Sequence, residues 1–367
     1  MDWRKTLEKE YLIGYYPFGK GTDQYMSVVA EESEAAGYKV IDLMTALKHP
    51  YIYIGLKAVN LNWFESINAN SDIKIFLNYI KRSAMLLFFK LSGKKIIYTF
   101  HNVHPHNMKK FVWADKLIGR LCRWSDAIVG LCDYSKEILK AYISDEELTR
   151  KMAIIPPANY KGCYKEDEID FRSQWSIPQD ACVMGYVGSV QPYKNIELII
   201  DAAKKFPEIY FVIAGNARDP EYRKSLLRRA EGSSNIVTDF RFIEDNELPA
   251  FIKNCDFIIT PYDKRSSLNS GVAILAFTYG RTVICPVIGT LLQMGDLDHV
   301  FSYNYSDDAE HQDKLNEAIQ EAFEVFSQHP QKLAEINNWV RDYIDKNNSR
   351  QRVRESYIEL YDSVIRR

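Results

Sequence analysis

The residues with the clearest chemical reading are Asn269-Ser270-Gly271, set between a polar loop and an apolar run from Val272 to Tyr279. An Asn or Ser ahead of such a run is a helix N-cap. Gly280 is the matching residue just past the helix end. Phe257 to Thr260, ended by Pro261, and Thr282 to Cys285, closed by Pro286, read as buried strands on either side. A loop that leaves a parallel strand and feeds a helix presents free N–H groups and the positive end of the helix dipole. Both suit an anion such as a diphosphate. Every strand–helix–strand unit contains such a turn, so geometry alone does not decide. A second group is His101-Asn102-Val103-His104-Pro105-His106, three histidines within six residues. They could bind zinc, but His104 and His106 lack the i, i+4 helical spacing and no Cys or carboxylate sits nearby. Metal is the lesser reading, and Asp296-Leu297-Asp298 reads as a surface turn.

Strands and helices alternate along the chain, which predicts an α/β protein with parallel sheets. The expected order runs as follows. The strand Tyr11 to Tyr16 is followed by the glycine-containing turn Pro17 to Gly21. Asp23 then caps a helix from Gln24 to Ala36, and a second strand covers Tyr38 to Asp42. Strands follow at Lys57 to Asn62, Ile96 to Phe100, Asp126 to Leu131 and Lys151 to Ile155. A helix is expected over Lys81 to Lys95. In the second half, strands are expected at Cys182 to Val187, Tyr210 to Ala214 and near Asn235. Residues 158–178 are polar and aperiodic and read as a linker. The 367 residues suit two domains, with boundaries expected at 1–160 and 175–350. The charged, helical tail ends in 351–367.

The formal net charge of −2 and the sequence pI near 6.4 argue against a nucleic-acid binder that relies on a strong positive field. Six scattered cysteines without a CxxC fit buried thiols in a reducing compartment. The charged start MDWRKTLEKE has no apolar segment, so no signal peptide is expected. No apolar run is long enough to span a bilayer. The expected location is cytosolic, or peripheral on the cytosolic face of a membrane. On Asn107 to Trp124 helical spacing groups Trp113, Lys116, Arg120 and Arg123 on one face. Such a face, extended by Lys94, Lys95, Lys109 and Lys110, suits an anionic membrane surface or ordinary solvation.

The run Tyr279-Gly280-Arg281-Thr282-Val283-Ile284-Cys285-Pro286 resembles the small-Gly-Arg-x-Val-Ile-x-Pro tail of the donor-binding segment in glycosyltransferase family 4, which has the GT-B fold. The resemblance implies two Rossmann-like domains facing across a cleft, with the last helix crossing back to the first domain. It implies that Ser270 and Gly271 hold donor phosphates, with Asn269 near the sugar. Tyr186-Val187-Gly188 and the following Lys194-Asn195 resemble a second signature of the family. There Gly188 ends the strand and Lys194 neutralises the diphosphate. The arginine usually found before that lysine is missing, and Ser189 or Gln191 stands in its place. Gly215 and Asn216 follow the next strand, and Arg241 and Phe242 are candidates for reading the base. Thr99-Phe100-His101-Asn102 resembles the segment whose histidine faces the transferring sugar, making His101 the catalytic candidate. On the acceptor side the resemblance offers Gly19 and Tyr25, and also Trp63 and Glu65, which equally suit a core tryptophan and a capping glutamate.

One departure from the family is large. Its two glutamates, eight residues apart across the phosphate loop, fall here on Ser267 and Leu275. The implied activity is transfer of a sugar, with retention, from a nucleotide-diphosphate sugar to a glycan or polyprenyl-linked acceptor in surface polysaccharide assembly. No cofactor, metal or nucleic-acid partner is expected. A non-catalytic glycosyltransferase-like partner protein is the alternative, and a GT-B sugar-nucleotide epimerase ranks below it. The GxGxxG fingerprint of a nicotinamide dehydrogenase is absent.

Overall fold

The computed structural model describes residues 11–19, 23–69, 71–103 and 112–366. Chain contacts divide it into two units, Met1–Ala158 with Asn348–Arg367, and Asn159–Asn347. Each unit is built on one six-stranded parallel sheet with helices.

In the first unit the strands are β1 (Tyr11–Tyr16), β2 (Tyr38–Asp42), β3 (Leu56–Asn62), β4 (Lys95–Phe100), β5 (Ala127–Gly130) and β6 (Met152–Ile154). Their spatial order is β2-β1-β3-β4-β5-β6. The chain steps from β1 outward to β2, then returns to the other side of β1 at β3. That reversal is a topological switch point, where open α/β sheets form their ligand crevice. Ile13, Val59, Ile97 and Ile128 are fully buried in this sheet, as expected for strands whose two faces are both covered.

The second unit repeats the plan with β7 (Val183–Val187), β8 (Tyr210–Ala214), β9 (Ile236–Asp239), β10 (Phe257–Ile259), β11 (Val283–Pro286) and β12 (Phe301–Tyr303). The order is β12-β11-β10-β7-β8-β9, so its switch point falls between β7 and β10.

Two elements differ from the sequence expectation. The helix expected over Lys81 to Lys95 spans Asp72–Leu91. Ser71 caps it by accepting from the Lys74 amide at 3.3 Å, and Gly93, at φ 72°, follows its end. The supposed linker 158–178 packs onto the second unit. Tyr160, Phe171 and Ile177 are buried in that unit's core, and Phe171 stacks on Trp175 at 4.7 Å. The polar residues that made the stretch look like a linker do structural work there. Arg172 bonds Asp256 at 2.9 Å and donates to the carbonyls of Gln179 and Ala181.

The final helix, Arg350–Ile365, joins the first unit and packs against the helix Gln24–Ala35. Buried Glu32 accepts from Arg350 Nε at 2.6 Å and from Arg354 Nε at 2.7 Å. The Tyr361 ring lies 4.8 Å from Tyr38, and its hydroxyl bonds that of Tyr15. Among the described residues, five cysteines are buried and Cys163 partly so, all as free thiols. No helix among the described residues is long and apolar enough to cross a membrane.

Candidate functional site

In the second unit the candidate residues collect at the carboxyl ends of the strands flanking the switch point. β7 ends at Val187 and the chain turns through Gly188, at φ 140°. Gly215, after β8, has φ 137°, and a Cβ there would lie 1.7 Å from the Gly188 carbonyl oxygen. Only glycine allows these two backbones so close. The approach is pinned by the Gly188 amide donating to Ala214 O at 3.1 Å and the Val190 amide donating to Asn216 O at 3.1 Å. The Tyr186 hydroxyl donates to Ser189 O at 2.8 Å, and Gln191 precedes the single turn Pro192–Lys194.

Asn195 ends that turn in the left-handed region, at φ 53°, and its side-chain Nδ2 donates to Pro261 O at 2.9 Å. This clamp ties the β7 loop to the β10 loop. It leaves the Lys194 ammonium 3.8 Å from the centre of the Tyr262 ring and 5.0 Å from that of Tyr193. Lys194 has no carboxylate partner among the described residues. Burial pulls its pKa down to about 8, so it still carries charge near pH 7.

Ser270 caps the helix Gly271–Thr278, its Oγ accepting from the Ala273 amide at 3.1 Å. The Ser270 amide donates to Thr290 Oγ1 at 2.9 Å. Gly271 opens the helix and is exposed; a Cβ there would meet the Tyr160 hydroxyl at 3.2 Å. A lone ammonium, a capped helix N-terminus and a glycine-walled loop therefore share one switch crevice. Together they favour a phosphorylated anion.

The remaining second-unit candidates are placed differently. Arg241 is held by Asp239 at 3.0 Å and by both Glu247 oxygens at 2.6 and 2.8 Å, so its guanidinium is committed. Phe242 beside it is 60 % exposed. Ser267 and Leu275, where the resemblance would place two glutamates, are both buried, and Leu275 is part of the apolar core. Asn269 is part-buried immediately before the cap.

In the first unit, Tyr25, Trp63 and His101 come together from the carboxyl ends of β1, β3 and β4. The imidazole of His101 stacks on Trp63 at 3.8 Å and 19°. Tyr25 meets His101 edge-on at 5.2 Å and Trp63 edge-on at 6.3 Å. His101 Nε2 pairs with Asn62 Oδ1 at 2.9 Å. Asn62 donates to Asn60, which also accepts from Thr99. Burial lowers the His101 pKa to about 3, so the ring is neutral across the physiological range and acts as a hydrogen-bonding group. Trp63 has a left-handed φ of 47°, a costly conformation for a large side chain. Glu65 is buried, and its Oε2 has no hydrogen-bond partner among the described residues. Burial raises its carboxyl to about 7, against the opposing pull of its own backbone N–H, the Tyr98 hydroxyl and Arg82. Gly19, exposed at φ 128°, closes the turn after β1.

Among the described residues no group of three or more His, Cys, Asp or Glu is placed to hold a metal. His104 and His106, like Lys109 and Lys110, lie outside the described residues. Asp296-Leu297-Asp298 forms a turn in which the Asp298 amide donates to Asp296 at 2.9 Å. Sequence reading missed Tyr262, Thr290 and Asn62. Each is joined to its partner by the fold, and no local pattern marks it.

Residues 167–289 match the family described as Glycosyl transferases group 1. The GDP-mannose:glycolipid 4-beta-D-mannosyltransferase of Xanthomonas campestris pv. campestris is 22% identical over 204 residues, 55% of this chain and 53% of that protein. The lipopolysaccharide 1,2-N-acetylglucosaminetransferase of Salmonella typhimurium is 24% identical over 184 residues, 47% of each. The chain thus spans about half the length of the curated relatives it matches. Among solved structures, sucrose-phosphate synthase from Thermosynechococcus elongatus superposes with a TM-score of 0.72 at 15% identity, covering 96% of this chain and 98% of that one. Anabaena HepE in complex with UDP-glucose gives 0.69 at 14% identity, covering 96% and 99%. The fold is GT-B, and the chain is similar to glycosyltransferases of the family 4 kind.

Proposed function

We propose that the protein is a retaining glycosyltransferase that moves a sugar from a nucleoside-diphosphate sugar to a glycan or lipid-linked acceptor, on the cytosolic side of a membrane, in surface polysaccharide assembly. The observation that carries this reading is the pairing of Lys194, held over Tyr262 and without a carboxylate partner among the described residues, with the Ser270-capped helix at one switch point. When the bond from the anomeric carbon to the diphosphate breaks, negative charge grows on the departing phosphate. Lys194 and the amides opening the Gly271–Thr278 helix stabilise that charge as it develops. The acceptor oxygen bonds the anomeric carbon, and its proton passes to the departing phosphate, so no dedicated base is required. Neutral His101 is assigned to hydrogen bonding near the reacting sugar. The names of the relatives, which act on glycolipid and lipopolysaccharide, support the acceptor class.

A second reading is favoured by Leu275. An apolar, buried side chain at that position cannot hold ribose hydroxyls, which fits a non-catalytic partner protein. Thermal unfolding of the protein with UDP, GDP, ADP or CMP, without metal, separates the two. A ligand that binds only the folded state raises its melting temperature, by about 2.7 kcal/mol of stability at a hundredfold excess over Kd. One nucleoside diphosphate is expected to do so. A flat response to all four would favour the non-catalytic reading.

A further inference from the structure

The helix Asp72–Leu91 is apolar on both sides. Its inner face buries Tyr79, Ser83, Leu86 and Phe89. Its outer face carries Ile73, Phe76, Leu77, Ile80, Leu87, Phe88 and Leu91, all exposed, with Ile73 at 74 % and Leu91 at 79 %. These positions recur at three- and four-residue intervals, with exposed Ala84 bridging Ile80 and Leu87, so they form one stripe along a helix of 20 residues, about 30 Å long. The stripe extends past the helix. Phe88 stacks on Tyr53 at 5.1 Å, and the short helix Pro50–Gly55 that carries Tyr53 also exposes Tyr51 and Ile54. A solvated helix places charges on its outer face, and a contiguous exposed apolar patch of this kind marks an interaction surface.

The charge around the stripe indicates what covers it. Between Asp72 and Asp115 the sequence holds no acidic residue and eight lysines and arginines, in a chain whose net charge is −2. Lys74, Lys81 and Lys90 are exposed on the same helix. The neighbouring helix Val112–Trp124 adds exposed Lys116, 4.4 Å from the ring of Trp113, which itself lies 4.8 Å from Phe76. Two copies of a lysine-rimmed face would repel each other. An apolar stripe with a cationic rim matches acyl chains beneath anionic headgroups.

We propose that this face of the first unit lies in the surface of an anionic bilayer, with the Asp72–Leu91 helix parallel to the membrane plane. This deepens the membrane-side reading above but stands on exposure and charge alone. Its test reads binding and not transfer, so its failure would leave the donor site untouched. The full chain is mixed with vesicles of phosphatidylcholine alone or with phosphatidylglycerol in equal parts, and flotation is measured at low and high salt. Binding is expected only to the phosphatidylglycerol vesicles and is expected to weaken with salt. Leu77→Glu with Leu91→Glu should lower the affinity at least about tenfold while the circular dichroism and melting temperature stay unchanged, because both side chains are exposed. If the glutamate pair unfolds the protein, the pair Leu77→Gln with Leu91→Gln serves instead. Absence of binding, equal binding to both vesicles, or a folded variant that floats like the parent would each overturn the proposal. So would a dimer in gel filtration that these substitutions dissociate, since the stripe would then be covered by a second copy.

Discussion

At the scale of single residues, the second unit keeps a cation charged and the first keeps a histidine neutral. Lys194 sits over an aromatic ring with its pKa lowered to about 8 by burial, so protonation holds at pH 7 and is lost as pH rises through that value. Affinity for a nucleoside diphosphate should therefore fall above pH 8, approaching tenfold per pH unit. Lys194→Ala should weaken binding at pH 7 by about 1.5–3 kcal/mol and abolish that decline, as titration calorimetry across pH would show. Glu65 carries the opposite burden. Its carboxyl titrates near 7 in the folded chain against about 4.5 when exposed, so the folded state keeps a proton that the unfolded state releases. Its contribution makes stability fall as pH rises through that window, by about 3 kcal/mol in all. Urea titrations at pH 5 and pH 8 should show Glu65→Gln gaining on the parent at the higher pH by an amount of that order. Equal differences at the two pH values would mean that Glu65 is ionised in the folded protein.

At the scale of elements, the donor half depends on two loops meeting where no side chain fits. Gly215→Ala places a methyl group into the Gly188 carbonyl at a φ that L residues avoid. It should cost about 2–4 kcal/mol and remove any nucleotide-induced rise in melting temperature, both readable in one thermal scan. A melting temperature like the parent's would show that the loops can part freely. The Gly271–Thr278 helix was legible because its signals are local: a cap, an apolar run and a following glycine. The same kind of reading placed Asp23 as a cap, and its side chain accepts from the Tyr25 amide at 2.8 Å. It misjudged 158–178, because Arg172 and Asn254 satisfy one another's backbone across 82 positions of sequence, a relation that no local window contains.

At the scale of the whole molecule, the last helix belongs to the first unit through a buried carboxylate shared by two arginines. Arg350 and Arg354 remain partly exposed, with side chains 29% and 40% accessible, so solvent screens part of their attraction. Glu32→Gln should lower stability by about 1–2 kcal/mol, measured by denaturant unfolding. A neutral result would mean that the buried face of this helix, Val353, Tyr357, Leu360, Tyr361 and Val364, docks it without help from the ion pairs. The exposed stripe on Asp72–Leu91 is a property at this scale too. Its apolar residues are plain in the sequence, but whether a helix apolar on two faces buries both or leaves one on the surface is decided by what packs against it.

By itself the sequence determined the alternation of strands and helices, the caps, the reversal of charge between Asp72 and Asp115, and the kinds of residue at the strand ends. These follow from periodicity and backbone preference within a few turns of chain. Tertiary structure alone decided that Tyr262 lies beneath Lys194, that Thr290 receives the Ser270 amide, that Trp63 stacks on His101, and that Leu275 faces the core. Each depends on strand order and on which face of an element meets its sheet. Those are set by the summed burial of residues far apart in the chain, and no short stretch of sequence encodes them.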